Sequence, residues 1–311
     1  MIRHALIQFK PQKSQVEANL ARLATMLAHL QAELDAQNAA PVDVICLPET
    51  ALTGYFLQAG VREQALEASV LFDHLQDVLD RAGWQRPVDI CLGFYERDGG
   101  SFHNSALYAE FNTTSAGIKY IHRKMFLPTY GVFDEQRYVS RGHELDAFKT
   151  RFGTVGMLIC EDAWHASCAA VLALKGALIL YIPMASPARD FNTHPDLATN
   201  KPANALRWQR TAEGIAAEHG TYVLTTSLTG FEGGKGFTGA SHAIDPYGEL
   251  IAEGELFDEH ILVTDVHLET IQVARYESPL LADLRANLPE LIRAFTEVSS
   301  TEVSGIEVPS T

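Results

Sequence analysis

The sequence predicts a layered α/β fold in one domain, with helices covering sheets of mixed strand direction. Three observations predict it. The chain reads as two successive halves, each mixing strand–helix–strand units with antiparallel meanders. The strand-like runs, such as VDVICL and ALILYIP, are short and apolar. No Pro/Ser-rich linker separates the halves, so one compact domain is favoured over two.

In order, IRHALIQF reads as a strand. Val16, Leu20, Leu23, Leu27, Leu30 and Leu34 then recur at spacings of four and three, the period of an amphipathic helix. Ser14 followed by Glu17 predicts a capping box at its start. VDVICL reads as a buried strand, residues 61–82 as helical, and VDICLGFY as a second buried strand. A turn at Asp98-Gly99-Gly100 opens a meander through NSALYAEF and GIKYIHRK. The outline then repeats: FGTVGMLIC as strand, 166–175 as helix, ALILYIP as strand, and a helix over 202–219 stopped by Gly220. TYVLTT, ASHAID and HILVTDV complete the strands. The expected divisions are a main domain over 1–275, a helical extension over 276–296 and a small, polar, mobile tail over 297–311, or one ordered by another subunit.

The formal net charge is -15 and no Lys/Arg cluster interrupts it, which argues against nucleic acid as a partner. No apolar run approaches the roughly 18 residues that span a bilayer, and MIRHALIQF lacks the pattern of a signal peptide. The four cysteines, Cys46, Cys91, Cys160 and Cys168, show neither a paired metal motif nor disulfide density. A soluble protein in the cytoplasm is expected.

Three residues share a placement. Glu49 follows VDVICLP, Lys124 follows GIKYIHR, and Cys160 ends TVGMLI, each at the carboxyl end of an apolar run where a rigid sheet presents side chains to a crevice. Their types fit together chemically. A thiol of ordinary pKa is mostly protonated near neutrality, so a cysteine nucleophile needs a base or a positive charge beside it. Glu49 supplies the first and Lys124 the second. Attack on a carbonyl puts negative charge on oxygen, which Lys124 and the backbone N–H of Glu161 are placed to hold. Taken singly, each residue also fits a plain structural role: a core thiol, a helix cap, a surface charge.

LPETALTGY, HRKMFLPTYGVFDEQRY and GMLICEDAW together resemble the nitrilase superfamily of carbon–nitrogen hydrolases, and the resemblance runs over about residues 2–266. YIPMASP and TSLTGFEGGKGFTGASHAIDPYGEL resemble the later strands and the Gly-rich loop before them. The resemblance implies a four-layer α-β-β-α sandwich with mixed sheets, paired into homodimers or higher oligomers. It also implies Cys160 as nucleophile, Glu49 as general base, Lys124 as oxyanion stabiliser and Glu135 as a second glutamate holding the site. The wording LPTYGVFDEQRY and CEDAW is closest to the glutamine-hydrolysing domains of NAD synthetases, which implies substrate contacts from Tyr130, Trp164 and Ser186. Departures are visible. A synthetase domain is not expected, no Ser-Gly-Gly-x-Asp-Ser loop occurs, Ser227 stands where many relatives have asparagine, and SPARDFN lacks the usual Gly-Lys. Glutamine is therefore not assumed as substrate.

The expected reaction is hydrolysis of a small amide through a cysteine thioester, with water as second substrate and no cofactor, since no nucleotide loop, metal spacing or nicotinamide fingerprint occurs. Alternatives are nitrile hydrolysis, ammonia donation to a separate synthetase, a Cys–His enzyme using His122 or His165, a metal hydrolase, and a silent binding protein of the same fold.

Overall fold

The computed structural model describes residues 1–188 and 201–300. Its first half runs through β1 (Ile2–Gln8), α1 (Val16–Ala36), β2 (Val44–Cys46), α2 (Val61–Gln64), α3 (Ala68–Arg81), β3 (Val88–Asp98), β4 (Ser101–Phe111) and β5 (Gly117–Arg123). The second half comprises β6 (Ala147–Thr150), β7 (Gly153–Met157), α4 (Ala166–Leu174), β8 (Ile179–Met184), α5 (Ala203–His219) and β9 (Tyr222–Ser227). It continues through β10 (Thr229–Glu232), β11 (Lys235–Thr238), β12 (His242–Ile244), β13 (Leu250–Glu253) and β14 (His260–Val266) to α6 (Leu268–Glu277), α7 (Leu280–Ala286) and α8 (Leu288–Ser300).

The strands form two six-stranded sheets, ordered β14-β1-β2-β3-β4-β5 and β13-β12-β9-β8-β7-β6. In each, three central strands are parallel (β1, β2, β3 and β9, β8, β7) and the flanking strands are antiparallel. Both sheets are mixed, as expected. The last strand, β14, returns to pair with β1, so the chain closes on its own beginning.

Side-chain alternation explains the uninterrupted apolar runs. On β2, Ile45 packs outward with Leu23, Leu27, Leu71 and Leu75 of α1 and α3. Val44 and Cys46 point the other way, into a layer shared with Val155, Met157, Tyr181 and Leu224 of the second sheet. On β8, Leu180 and Ile182 meet Leu172, Trp208 and Ile215 of α4 and α5. A strand buried on both faces has no polar side to show, so the four layers follow from these runs.

Local differences have local causes. Ser14 does not cap α1: it has φ +57°, Gln15 is the N-cap, and no side chain caps the helix. Asn19 orders this entry instead, accepting from Gln12 N–H and donating to the Gln12 and Leu52 carbonyls. The helix expected over 61–82 is broken because Leu66 leaves it to pair with the end of β3, donating to Tyr95 O and accepting from Arg97 N–H. The expected Gly-rich loop is the β10–β11 hairpin, turning at Gly233 and Gly234, both with positive φ. Gly220, at φ +55°, ends α5 as expected. Helix α8 continues to Ser300, into the stretch expected as a tail; residues 301–311 lie outside the described part, as do residues 189–200, which include part of the SPARDFN run. Among the described residues, no helix is long and apolar enough to cross a membrane.

Candidate active site

Glu49 lies in the turn after β2, with its side chain 0% exposed. The turn presses on β3 at Gly93, where a Cβ would stand 2.5 Å from Glu49 Cα and 2.9 Å from Pro48 O. Glycine is required by that approach, not by its dihedral angles. Lys124 leaves β5 with its backbone N–H donating to Asn104 O at 2.8 Å, and its side chain is likewise 0% exposed.

From there the ammonium reaches two carboxylates. Lys124 Nζ lies 2.7 Å from Glu49 Oε1 and 2.7 Å from Glu135 Oε1. Asn104 Nδ2 donates to the same Glu49 oxygen at 2.7 Å, and the Tyr55 hydroxyl donates to Glu135. Glu49 Oε2 is buried and takes no hydrogen bond from any described residue. Burial pushes Lys124 toward neutrality, but the charges of Glu135 and Glu49 more than offset it and hold the ammonium well above its ordinary range. In Glu135 an upward shift favours the neutral form instead: burial and Glu49 outweigh Lys124, and its carboxyl is pushed up to about 7.

Cys160 stands after β7, at the first residue of a 3₁₀ turn over Cys160–Trp164, with φ +42°. A left-handed conformation at a non-glycine residue outside a β-turn is strained and is concentrated at functional positions. The thiol interacts electrostatically with Glu49, Lys124 and Glu135. Burial, then Glu49, push its pKa well above the ordinary range, while Lys124 and an Ala185 backbone hydrogen bond oppose them. Two carboxylates thus share one ammonium beside the thiol, which agrees with the expectation of a base and a positive charge next to Cys160.

One pocket is lined by Cys160, Tyr130, Trp164, Ser186 and Arg207, among others, so the three residues expected to contact substrate share it with the cysteine. Tyr130 OH donates to both oxygens of Glu161, at 3.0 and 2.9 Å. Ser186 Oγ accepts from Asn204 Nδ2 at 2.8 Å, and the Trp164 ring lies 4.5 Å from that of Trp208 with the Arg207 guanidinium over it. Among the described residues, no three His, Cys, Asp or Glu side chains group so as to hold a metal ion. His122 Nε2 is bonded to Asp162 at 2.9 Å, and the His165 ring stacks on Phe126.

The family model for carbon–nitrogen hydrolases matches residues 3–276. The chain belongs to the carbon–nitrogen hydrolase family. Over 261 residues it is 27% identical to a glutamine-dependent NAD(+) synthetase of Rhodobacter capsulatus, covering 83% of this chain and 44% of that protein. Over 214 residues it is 27% identical to an N-carbamoylputrescine amidase of Oryza sativa subsp. japonica, covering 66% and 68%. The chain therefore spans less than half the length of the synthetase that it matches. A solved carbon–nitrogen hydrolase from Helicobacter pylori G27 superposes with a TM-score of 0.78 at 24% identity, over 92% of this chain and 96% of that one, and so shares its fold.

Three residues of this carbon–nitrogen hydrolase escape sequence reasoning. Asn104 and Tyr55 are hydrogen-bonded to the two carboxylates but sit in stretches read as a strand and a loop. Asp162 is present in the CEDAW text, yet nothing in its spacing shows what it bonds. A buried polar residue opening an apolar strand, as in NSALYAEF, is the one signal that marks Asn104.

Proposed function

We propose that this chain hydrolyses the carbon–nitrogen bond of a small amide through a thioester on Cys160, releasing ammonia or an amine. The observation that carries the reading is the solvent-free ion network of Lys124 with Glu49 and Glu135, beside a thiol in a strained turn at the wall of a pocket. The amidase among the relatives supports an amide over a nitrile.

Glu49 takes the proton of Cys160 Sγ as sulfur attacks the carbonyl carbon. The oxyanion is held by the Lys124 ammonium and the Glu161 N–H, and one such donor is typically worth about 3–4 kcal/mol of barrier. Collapse breaks the carbon–nitrogen bond, and Glu49 returns its proton to the leaving nitrogen. Water then attacks the thioester, giving its proton to Glu49; the acid departs and Glu49 reprotonates the sulfur. Glu135 balances the Lys124 charge and fixes its direction. Tyr130, Trp164 and Ser186 shape the acyl side of the pocket.

A screen of ω-amides, carbamoyl amines and nitriles for released ammonia tests the reaction class. Mass spectrometry of a quenched turnover should show the acyl group on Cys160; an adduct on another residue rejects the assignment.

The four free cysteines suit a reducing, cytoplasmic setting. The helical extension beyond the main domain leaves Tyr276, Ile292 and Phe295 exposed, which supports assembly into a homodimer. Sedimentation at micromolar concentration showing only a 34.2 kDa species would remove that part of the proposal.

A further inference from the structure

Lys124 leaves the first sheet at the end of β5, and Cys160 follows β7 in the second. No strand ladder joins those two segments, so their separation depends on other contacts. Asp162 supplies a set of them. Its side chain is 1% exposed and takes four hydrogen bonds. Oδ1 accepts from Met125 N–H at 3.0 Å and Phe126 N–H at 2.9 Å. Oδ2 accepts from Ile159 N–H at 3.1 Å and from His122 Nε2 at 2.9 Å.

The placement of the donors is informative. His122 and Met125 stand on either side of Lys124, and Ile159 immediately precedes Cys160. One carboxylate therefore grips the chain around both residues. Burial alone would push its carboxyl up, but His122 and the backbone donors more than offset that, so the charge that attracts all four N–H groups is kept.

We infer that Asp162 is a positioning residue: by tying the segment around Lys124 to the turn that carries Cys160, it sets the geometry between oxyanion donor and sulfur. This rests on the reading of Cys160 as nucleophile. Displacements of about 1 Å between reacting groups can cost on the order of 10²-fold in rate, so the contribution belongs to kcat and not to substrate binding.

Asp162→Asn separates the two ends of the tie. The amide oxygen can keep the Met125 and Phe126 bonds, which puts the NH2 against Ile159 N–H and His122 Nε2. His122 can adapt by moving its proton to Nδ1, which is buried and takes no hydrogen bond from any described residue. Ile159 N–H cannot adapt, because two donors then face each other. The substitution releases the Cys160 end while sparing the Lys124 end.

The expected result is a fall in kcat of roughly 10²-fold with KM changed less than about threefold and slower alkylation of Cys160 by iodoacetamide. Nitrogen NMR should show the His122 proton moved from Nε2 to Nδ1. His122→Phe removes one donor and leaves the three backbone bonds, so kcat should stay within a few-fold. Unchanged kcat and alkylation in Asp162→Asn overturn the inference, as do equal losses in both variants that track melting temperature. If Asp162→Asn does not fold, Asp162→Glu decides: it keeps the charge but displaces the oxygens, and undiminished kcat refutes the tie. A fully active Cys160→Ala would reject the nucleophile reading itself, a result distinct from all of these.

Discussion

Lys124 and Glu49 meet 2.7 Å apart where neither side chain touches solvent. Bulk solvent reaches neither charge, so each leans on the other and on Glu135, Asn104 and Tyr55 around them. The pair is an expensive arrangement to bury, and its retention makes sense as chemistry more than as a source of stability.

Lys124→Met should therefore damage both properties. Removing one partner of a buried pair costs about 3–5 kcal/mol because the other charge is left uncompensated, and here two carboxylates would face each other. Urea unfolding should show a loss of that order, softened as Glu135 takes up a proton. Ammonia release should fall by at least about 10²-fold, the typical loss for an oxyanion donor.

Cys160→Ala should do the opposite. The residue is half-buried, and alanine removes only sulfur, so the melting temperature should stay within a few degrees. Ammonia release and the covalent adduct should both vanish, as read by coupled assay and intact-protein mass.

At Gly93 the test is steric. A Cβ there meets Glu49 Cα, Pro48 O and Thr50 N, all backbone atoms that cannot swing aside. Gly93→Ala should cost about 1–3 kcal/mol of stability and, by moving Glu49, lower kcat more than an equally destabilising substitution elsewhere. Parallel thermal melts and kinetics check this.

His4 gives the fold an acid-sensitive point between the sheets. Its ring lies 3.2 Å from Ile2 O through Nδ1 and 3.0 Å from Tyr181 OH through Nε2, and burial lowers its pKa to about 4 from 6.5. A depressed folded-state value means that this stability is present above pH 6.5 and is lost as the pH falls through 4. Unfolding free energy should drop by up to ~3 kcal/mol across that window, and by less in His4→Asn, as measured by urea titration at pH 7 and pH 4.5.

Much of the site was legible because strand ends are legible. Glu49, Lys124 and Cys160 each close an apolar run, and the structure brings the first two into contact and the third to the same network. Glu135 came from the family resemblance, and it does join Lys124. The capping box at Ser14 failed because a local pattern lost to Asn19, whose side chain finds partners 7 and 33 residues away. The positive φ of Cys160 left no trace in the letters at all.

The sequence by itself determined the buried, apolar character of the strands, a layered α/β arrangement with helices covering mixed sheets, and the order of the residues that could do chemistry; the count of four layers came from the family resemblance. Only the tertiary structure decided that Asn104 and Tyr55 bond the two carboxylates and that Asp162 bonds both the chain around Lys124 and the residue before Cys160. The reason is physical. Periodicity records which face of an element avoids water, whereas a buried charge is tolerated only where several remote donors converge on it, and that convergence exists only once the sheets have packed.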